Sequence, residues 1–200
     1  MIVLKIGGSL GDSGRVLLAR VAGEGLDALV VPGGGAFADT VREACAAGGI
    51  SDDAAHWMAV LAMEQFAYFL ADGTELPLAD RLQGRGTRIA LPYEILRRDD
   101  ALPHSWDVTS DTIAAWMALK LRARLIKATD VDGIFCDGKL VEEIPAVDLQ
   151  KMGETCVDKA LPGFLMEHGM DAFVVNGLCV HRVIAALKKE KTVGTHILGK

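Results

Sequence analysis

Apolar residues along the chain fall into short unbroken runs separated by longer stretches of mixed character. Ile2–Ile6, Ala28–Val31, Leu125–Ala128 and Ala172–Val175 are rich in Val, Ile, Leu or Ala, end in turns, and read as strands. Thr87–Leu91 and His196–Leu198 carry the same signal less fully. Helical patterns lie between them: Val16–Ala22, Ala36–Ala47, Asp52 to about Leu70, Asp107–Lys120, Cys156–His168 and Val180–Lys189. Ser51 is the expected N-cap of the longest, with Asp52 and Asp53 suiting the positive end of the helix dipole. Strands apolar on both faces, alternating with helices, predict a mainly parallel sheet covered on both sides, that is, an α/β fold with three α/β/α layers. The helix from Asp52 is apolar on nearly every side, with Trp57, Met58, Leu61, Phe66, Tyr68 and Phe69, so it is expected in the core or in a subunit interface.

Composition narrows the class. The chain has 200 residues, 50% hydrophobic and 24% charged, which suits one globular domain over 1–200 and not a disordered chain. No repeat, linker or low-complexity tract divides it. The net charge of −6 and the lack of a long Lys/Arg run argue against a nucleic-acid partner. They do not argue against a nucleotide, which needs only local amides and a few lysines. Cys45, Cys136, Cys156 and Cys179 form no C-x-x-C pair and have no His at zinc spacing, so reduced structural thiols and no metal site are expected. The N-terminus lacks a basic segment leading into an apolar one. The most apolar stretch, Ala54–Leu70, is interrupted by His56, Glu64 and Gln65, so no membrane segment is expected and the cytoplasm is the expected compartment.

Candidate chemistry sits where strands end. Gly7-Gly8-Ser9 follows the first strand, and Gly33-Gly34-Gly35 follows the second. In a parallel sheet ligands bind off the carboxyl ends of strands, where glycines let backbone N–H groups approach phosphate oxygens. Neither loop has a P-loop or dinucleotide pattern. Lys5 interrupts an otherwise apolar strand two residues before a Gly-Gly turn. It reads as an anion ligand in preference to a lysine whose stem lies along the strand end, because a buried strand seldom holds an unpaired ammonium. In Asp107-Val-Thr-Ser-Asp111, the residues Asp107, Thr109 or Ser110 can cap the next helix, while Asp111 can orient lysines around a phosphoryl group. Thr129-Asp130-Val-Asp132-Gly133 reads either as a plain turn or as a nucleotide contact.

These motifs, in this order, resemble the amino acid kinase family. Lys5-Ile-Gly-Gly-Ser9 is similar to its opening K-x-G-G-S, and Val31-Pro-Gly-Gly-Gly-Ala-Phe37 to its second Gly-rich loop. Asp107–Asp111 resembles the segment that organises the catalytic lysines. Thr129–Gly133 resembles the nucleotide-site T-D-x-D-G, Gly153–Lys159 the G-[GT]-M-x-x-K stretch, and Asn176-Gly177 the late N-G turn. The resemblance implies ATP-dependent phosphoryl transfer, with Mg²⁺ arriving on the nucleotide and held mostly by phosphates and water. It implies Lys5, Asp111 and Lys159 as catalytic residues. It places Gly7, Gly8, Ser9, Thr129, Asp130, Asp132 and Gly133 at ATP, and Gly33, Gly34, Gly35, Asp107 and Thr109 at the acceptor; Asp52 is a further acceptor candidate or a helix-capping acid, and His56 either meets the acceptor phosphate or packs on its helix.

The segments Ser51–Met58, Ala62–Phe66 and His104–Asp111 look most like a small branch connected with methanofuran biosynthesis. That likeness implies [5-(aminomethyl)furan-3-yl]methyl phosphate as acceptor. Asp39, Asp52, Asp53 or Glu64 would meet its ammonium, and Phe37, Trp57 or Trp106 its ring. Isopentenyl phosphate or another small phosphomonoester, and a non-catalytic binding protein on the same scaffold, are the alternatives. A homodimer or higher homo-oligomer is expected.

Overall fold

The computed structural model describes residues 1–200. Its elements run β1 Ile2–Ile6, α1 Gly11–Ala22, β2 Ala28–Pro32, α2 Gly35–Ala46, α3 Asp52–Ala71, β3 Leu78–Ala79, β4 Arg88–Ala90, α4 Pro92–Leu96 and α5 Ser110–Leu121. They continue with β5 Arg124–Thr129, β6 Phe135–Cys136, β7 Lys139–Leu140, β8 Glu143–Pro145, α6 Ala146–Leu149, α7 Leu161–His168, β9 Ala172–Asn176, α8 Val180–Leu187 and β10 Thr195–Leu198.

The main sheet has eight strands in the order β3-β4-β2-β1-β5-β9-β10-β8. All its pairings are parallel except β10 with β9. The expected α/β architecture is therefore observed, with one antiparallel pair near an edge. β6 and β7 form a separate two-stranded hairpin.

Period-2 alternation divides the core between the two sheet faces. Ile2, Leu4 and Ile6 of β1 join Val30 of β2 and Ile126 of β5 in one apolar cluster, under α1 and α8. Val3, Leu29 and Leu125 belong to the other cluster, under α5, α6 and α7. Lys5 shares the parity of Val3, and Lys127 that of Leu125, so both lysines face the α5 side. They are also direct partners across the β1–β5 ladder.

Three helix starts differ from expectation: α1 begins at Gly11, five residues before Val16, and α5 and α7 begin later than their patterns. α5 begins at Ser110 and not at Asp107, and no side chain at its N-cap Thr109 bonds back to it. α7 begins at Leu161 and not at Cys156. The backbone of 156–160 is committed elsewhere: the Cys156 carbonyl accepts from Lys127, Asp158 N donates to Asp111, and Ala160 N donates to the Asp107 carbonyl. Pro162 then suits a helix start, where its missing N–H has no intrahelical partner to lose. Ser51 caps α3 as expected, its Oγ accepting from Ala54 N at 3.2 Å. No helix is long and apolar enough to cross a membrane. All four cysteines are free thiols.

Candidate active site

A cavity of about 520 Å³ opens at the carboxyl ends of β1, β2 and β5. That volume lies within the roughly 300–1,000 Å³ typical of small-molecule sites. Its floor holds three charged side chains. Lys5 Nζ is 2.8 Å from Asp111 Oδ1, and Lys127 Nζ is 2.5 Å from Asp111 Oδ2. The lysine side chains are 7% exposed and Asp111 5%, so the group is a buried cluster with one net positive charge.

Position in the sheet brings the cluster together. Register aligns the two lysines on adjacent strands, and Asp111, in the first turn of α5, stands over the gap between them. Burial opposes the Asp111 charge, but the two ammonium groups outweigh it and hold the carboxyl far below the usual carboxylate range. For Lys5 burial wins: it lowers the pKa against the raising pull of Asp111, with Lys127 adding to the lowering. The Lys5 contact to Asp111 lies outside hydrogen-bond geometry, leaving Oδ1 without a directed donor. The ammonium is thus an ion-pair neighbour that can turn toward an incoming anion.

The walls are the two Gly-rich loops, pressed backbone to backbone. A Cβ on Gly8 would overlap the Gly35 nitrogen, and one on Gly33 would stand 2.5 Å from the Gly8 nitrogen. An ideal Cβ on Gly7 would be 3.7 Å from Lys5 Nζ, so the ammonium does reach the turn. The N-terminus of α2, at Gly34 and Gly35, faces the cavity with no side-chain cap, leaving amide donors for an anion.

Of the expected nucleotide residues, Gly7, Gly8, Ser9, Thr129 and Asp130 line the cavity. Asp130 accepts from Ser9 Oγ at 2.9 Å and Thr129 Oγ1 at 3.1 Å. Asp132 and Gly133 stand outside the lining. Asp132 takes Arg182 at 2.7 Å and Asn176 at 2.8 Å, while Gly133 packs against Thr195.

Of the expected acceptor residues, Gly34, Gly35, Asp52, His56 and Thr109 line the cavity, and Gly33 and Asp107 do not. Lys159 is outside as well: its side chain is 85% exposed, 3.6 Å from Asp107. Among the proposed ring contacts only Trp106 lines the cavity, with the Arg42 guanidinium 5.4 Å from its centroid.

Two residues of the site were not singled out from the sequence. Lys127 is one. Its signal is the same as that of Lys5, a lysine inside an apolar strand before a turn. Asp158 is the other. It accepts from Thr109 N (2.8 Å), Thr112 N (3.0 Å), Thr112 Oγ1 (2.6 Å) and Leu161 N (2.9 Å), so one carboxylate caps both α5 and α7. No sequence signal marks a cap supplied from nearly fifty residues away.

Residues 88–176 match the model of the amino acid kinase family. Over a 214-residue alignment the chain is 35% identical to the [5-(aminomethyl)furan-3-yl]methyl phosphate kinase of Methanocaldococcus jannaschii, spanning 100% of this chain and 98% of that protein. Among solved structures it resembles the uridylate kinase of Archaeoglobus fulgidus, with a TM-score of 0.71 and 20% identity over 98% of this chain and 100% of that one. It also resembles an isopentenyl phosphate kinase, with a TM-score of 0.67 and 17% identity over the same shares of the two chains. The aspartate kinase of Synechocystis gives a TM-score of 0.69 at 15% identity, covering all of this chain and 40% of that one. With full-length similarity to a kinase, the family's fold and its lysine-bearing strand ends, the chain belongs to the amino acid kinase family.

Proposed function

We propose that this protein transfers the γ-phosphoryl group of ATP to a small phosphomonoester, with [5-(aminomethyl)furan-3-yl]methyl phosphate as the acceptor. One observation carries the reading: two buried lysines in register on adjacent strands share a single carboxylate at the floor of a cavity walled by two Gly-rich loops. Phosphoryl transfer asks a protein mainly for positioning and for positive charge where negative charge develops. Lys5 and Lys127 supply that charge, Asp111 aims them, and the amides of Gly8 and Gly34 can hold phosphate oxygens. ATP would lie on the Ser9, Thr129 and Asp130 side, and the acceptor toward Gly35, Asp52, His56 and Trp106. Lys159, on a flexible stem at the rim, would add an outer phosphate contact. Mg²⁺ fits this donor set only as a partner of the nucleotide. Asp111 is committed to lysines and Asp130 to hydroxyls, so phosphates and water would hold most of the ion, which would neutralise phosphate charge.

The carboxylates near the acceptor side sort by their partners. Asp39 pairs with Arg42 at 2.6 Å, Asp53 with His104 at 2.6 Å, and Glu64 accepts from Glu94 N at 3.1 Å. Asp52 lines the cavity without an ion-pair partner, which fits it to receive the acceptor's ammonium, with Trp106 as a wall for the ring. The test is transfer from ATP and Mg²⁺ to aminomethylfuranmethanol phosphate, isopentenyl phosphate and UMP, followed by product mass. Selective conversion of the furan compound is expected. Conversion of isopentenyl phosphate at equal or better kcat/KM would overturn the acceptor assignment, and no transfer to any acceptor would overturn the kinase reading.

A further inference from the structure

His104 follows α4 in the loop that then supplies Ser105, Trp106, Val108 and Thr109 to the cavity. Its Nδ1 lies 2.6 Å from Asp53 Oδ1, and its Nε2 lies 2.9 Å from Asp100 Oδ1. An ionised carboxylate can only accept, so each ring nitrogen must donate, and a ring with both nitrogens protonated is an imidazolium. The two carboxylates belong to different parts of the molecule: Asp53 opens α3, and Asp100 lies in the His104 loop. One face of the ring stacks on His56, with centroids 4.0 Å apart and planes within 12°. The Trp57 ring stands nearly perpendicular to it, with centroids 5.3 Å apart. His56 is itself buried and lines the cavity.

We propose that His104 is a protonated latch: its imidazolium ties the 100–109 loop to the start of α3, and thereby sets the Trp106 wall and the His56 ring against the acceptor. The proposal rests on the kinase reading for its effect on catalysis, but the latch itself does not. His104 is a positioning residue and touches no reacting atom.

A metal ion in the same place fits less well. Ligand atoms of His56, Asp100 and His104 do lie within 4.8 Å of one another. An imidazole lone pair, however, lies in the plane of its ring, and one ion cannot sit in two nearly parallel planes stacked at 4.0 Å.

The charged and titratable groups around His104 favour the latch. Asp53 and His56 face it from α3, and Asp100 from its own loop. Asp52 neighbours Asp53, and Arg97 stands one layer away, over the Trp57 ring at 5.0 Å. Burial disfavours the His104 cation, but bonds to Asp100 and Asp53 outweigh it, so its pKa is raised. Burial, and then the charge of His104, lower the pKa of His56. The stack therefore pairs a ring whose charge is favoured with one whose charge is disfavoured, and a neutral His56 keeps one donating and one accepting nitrogen. As pH rises through the His104 pKa, one carboxylate comes to face a lone pair and the latch loosens.

The experiment is side-chain NMR of the histidines across pH, with steady-state kinetics over the same range. The His104 midpoint should lie above that of an ordinary histidine, and Asp53→Asn or Asp100→Asn should bring it down. Acceptor KM should rise roughly tenfold across the His104 titration, about the loss of one charge-assisted hydrogen bond, with ATP KM steady. In His104→Gln the acceptor KM should be high at every pH, with kcat retained. A His104 midpoint at or below the ordinary value overturns the latch, and so does an acceptor KM that stays flat through its titration. A raised midpoint with no transfer to any phosphomonoester overturns the kinase reading and upholds the tie between loop and helix.

Discussion

Asp111 divides its two oxygens between Lys5 and Lys127, and this division sets what each substitution should do. Removing Asp111 leaves two buried ammonium groups facing each other. Asp111→Asn is therefore expected to lose about 3–5 kcal/mol of stability, the usual cost of breaking a buried pair from one side, seen as a lower urea midpoint. Removing Lys5 does the reverse. Its pKa is lowered mainly by burial, so the unfolded chain binds that proton more readily. The Lys5 charge thus costs stability at neutral pH, and the cost fades as pH rises through the folded pKa. Lys5→Met should melt no lower than wild type while kcat falls at least ~100-fold, a magnitude typical of lost charge stabilisation. Lys127→Met should show the same loss of kcat. Exposed Lys159, changed to Ala, should affect mainly ATP KM, by less than ~10-fold, since an exposed ionic contact is worth little. Equal kcat losses at Lys127 and Lys159 would count against the floor as drawn. At the acceptor end, Asp52→Asn should raise the KM of the aminomethyl substrate and leave that of isopentenyl phosphate unchanged.

The elements show why part of the site was readable in advance and part was not. Lys5 could be read because its own segment held both halves of the argument, the apolar strand and the Gly-Gly turn. Asp111 could be read from its place at a helix start. The union of Lys5 with Lys127 depends on β1 lying beside β5 in a given register, and neither segment contains that information. Asp158 is hidden in the same way where it caps α5, through bonds spanning 46 to 49 residues, whereas its bond to Leu161 N at the start of α7 is local. The pattern from Cys156 onward is helical, but the backbone there serves Lys127 and Asp111 instead of a helix ladder. Strands of two or three residues, such as β3, β6 and β7, are too short to show any period. The capping role of Asp158 gives a direct test. Asp158→Ala would uncap α5 and α7 together, with an expected loss of about 2–4 kcal/mol by chemical denaturation. A loss no larger than that of an ordinary surface change would show that Thr109 and Thr112 find other partners. The contact of Gly8 with Gly35 gives another. Gly8→Ala drives a methyl group into backbone, which must separate the two loops and raise both KM values.

For the molecule as a whole, one apolar surface has no use within the chain. α3 buries Val60, Met63, Phe66 and Leu70, yet Met58, Leu61 and Tyr68 stay 37%, 41% and 59% exposed. Steps of three and seven residues put these three on one stripe of the helix. Single exposed apolar residues are ordinary, but an aligned set along a twenty-residue helix is the kind of face that a second copy covers. A two-fold contact would set α3 against its own equivalent, so one stripe would serve both partners. The N-terminal end of the same helix carries Asp52 and His56 to the acceptor side of the cavity, and Asp53 to His104. Pairing would then stiffen the element that the His104 latch grips, and oligomer and acceptor affinity should move together. Light scattering should give twice the chain mass of 21.3 kDa. A Leu61→Glu, Tyr68→Glu variant should run as a monomer with its helix content intact, and its acceptor KM should rise while ATP KM holds. If the variant keeps the wild-type mass, the stripe is not the contact. If it becomes monomeric with acceptor KM unchanged, the cavity does not depend on the pairing.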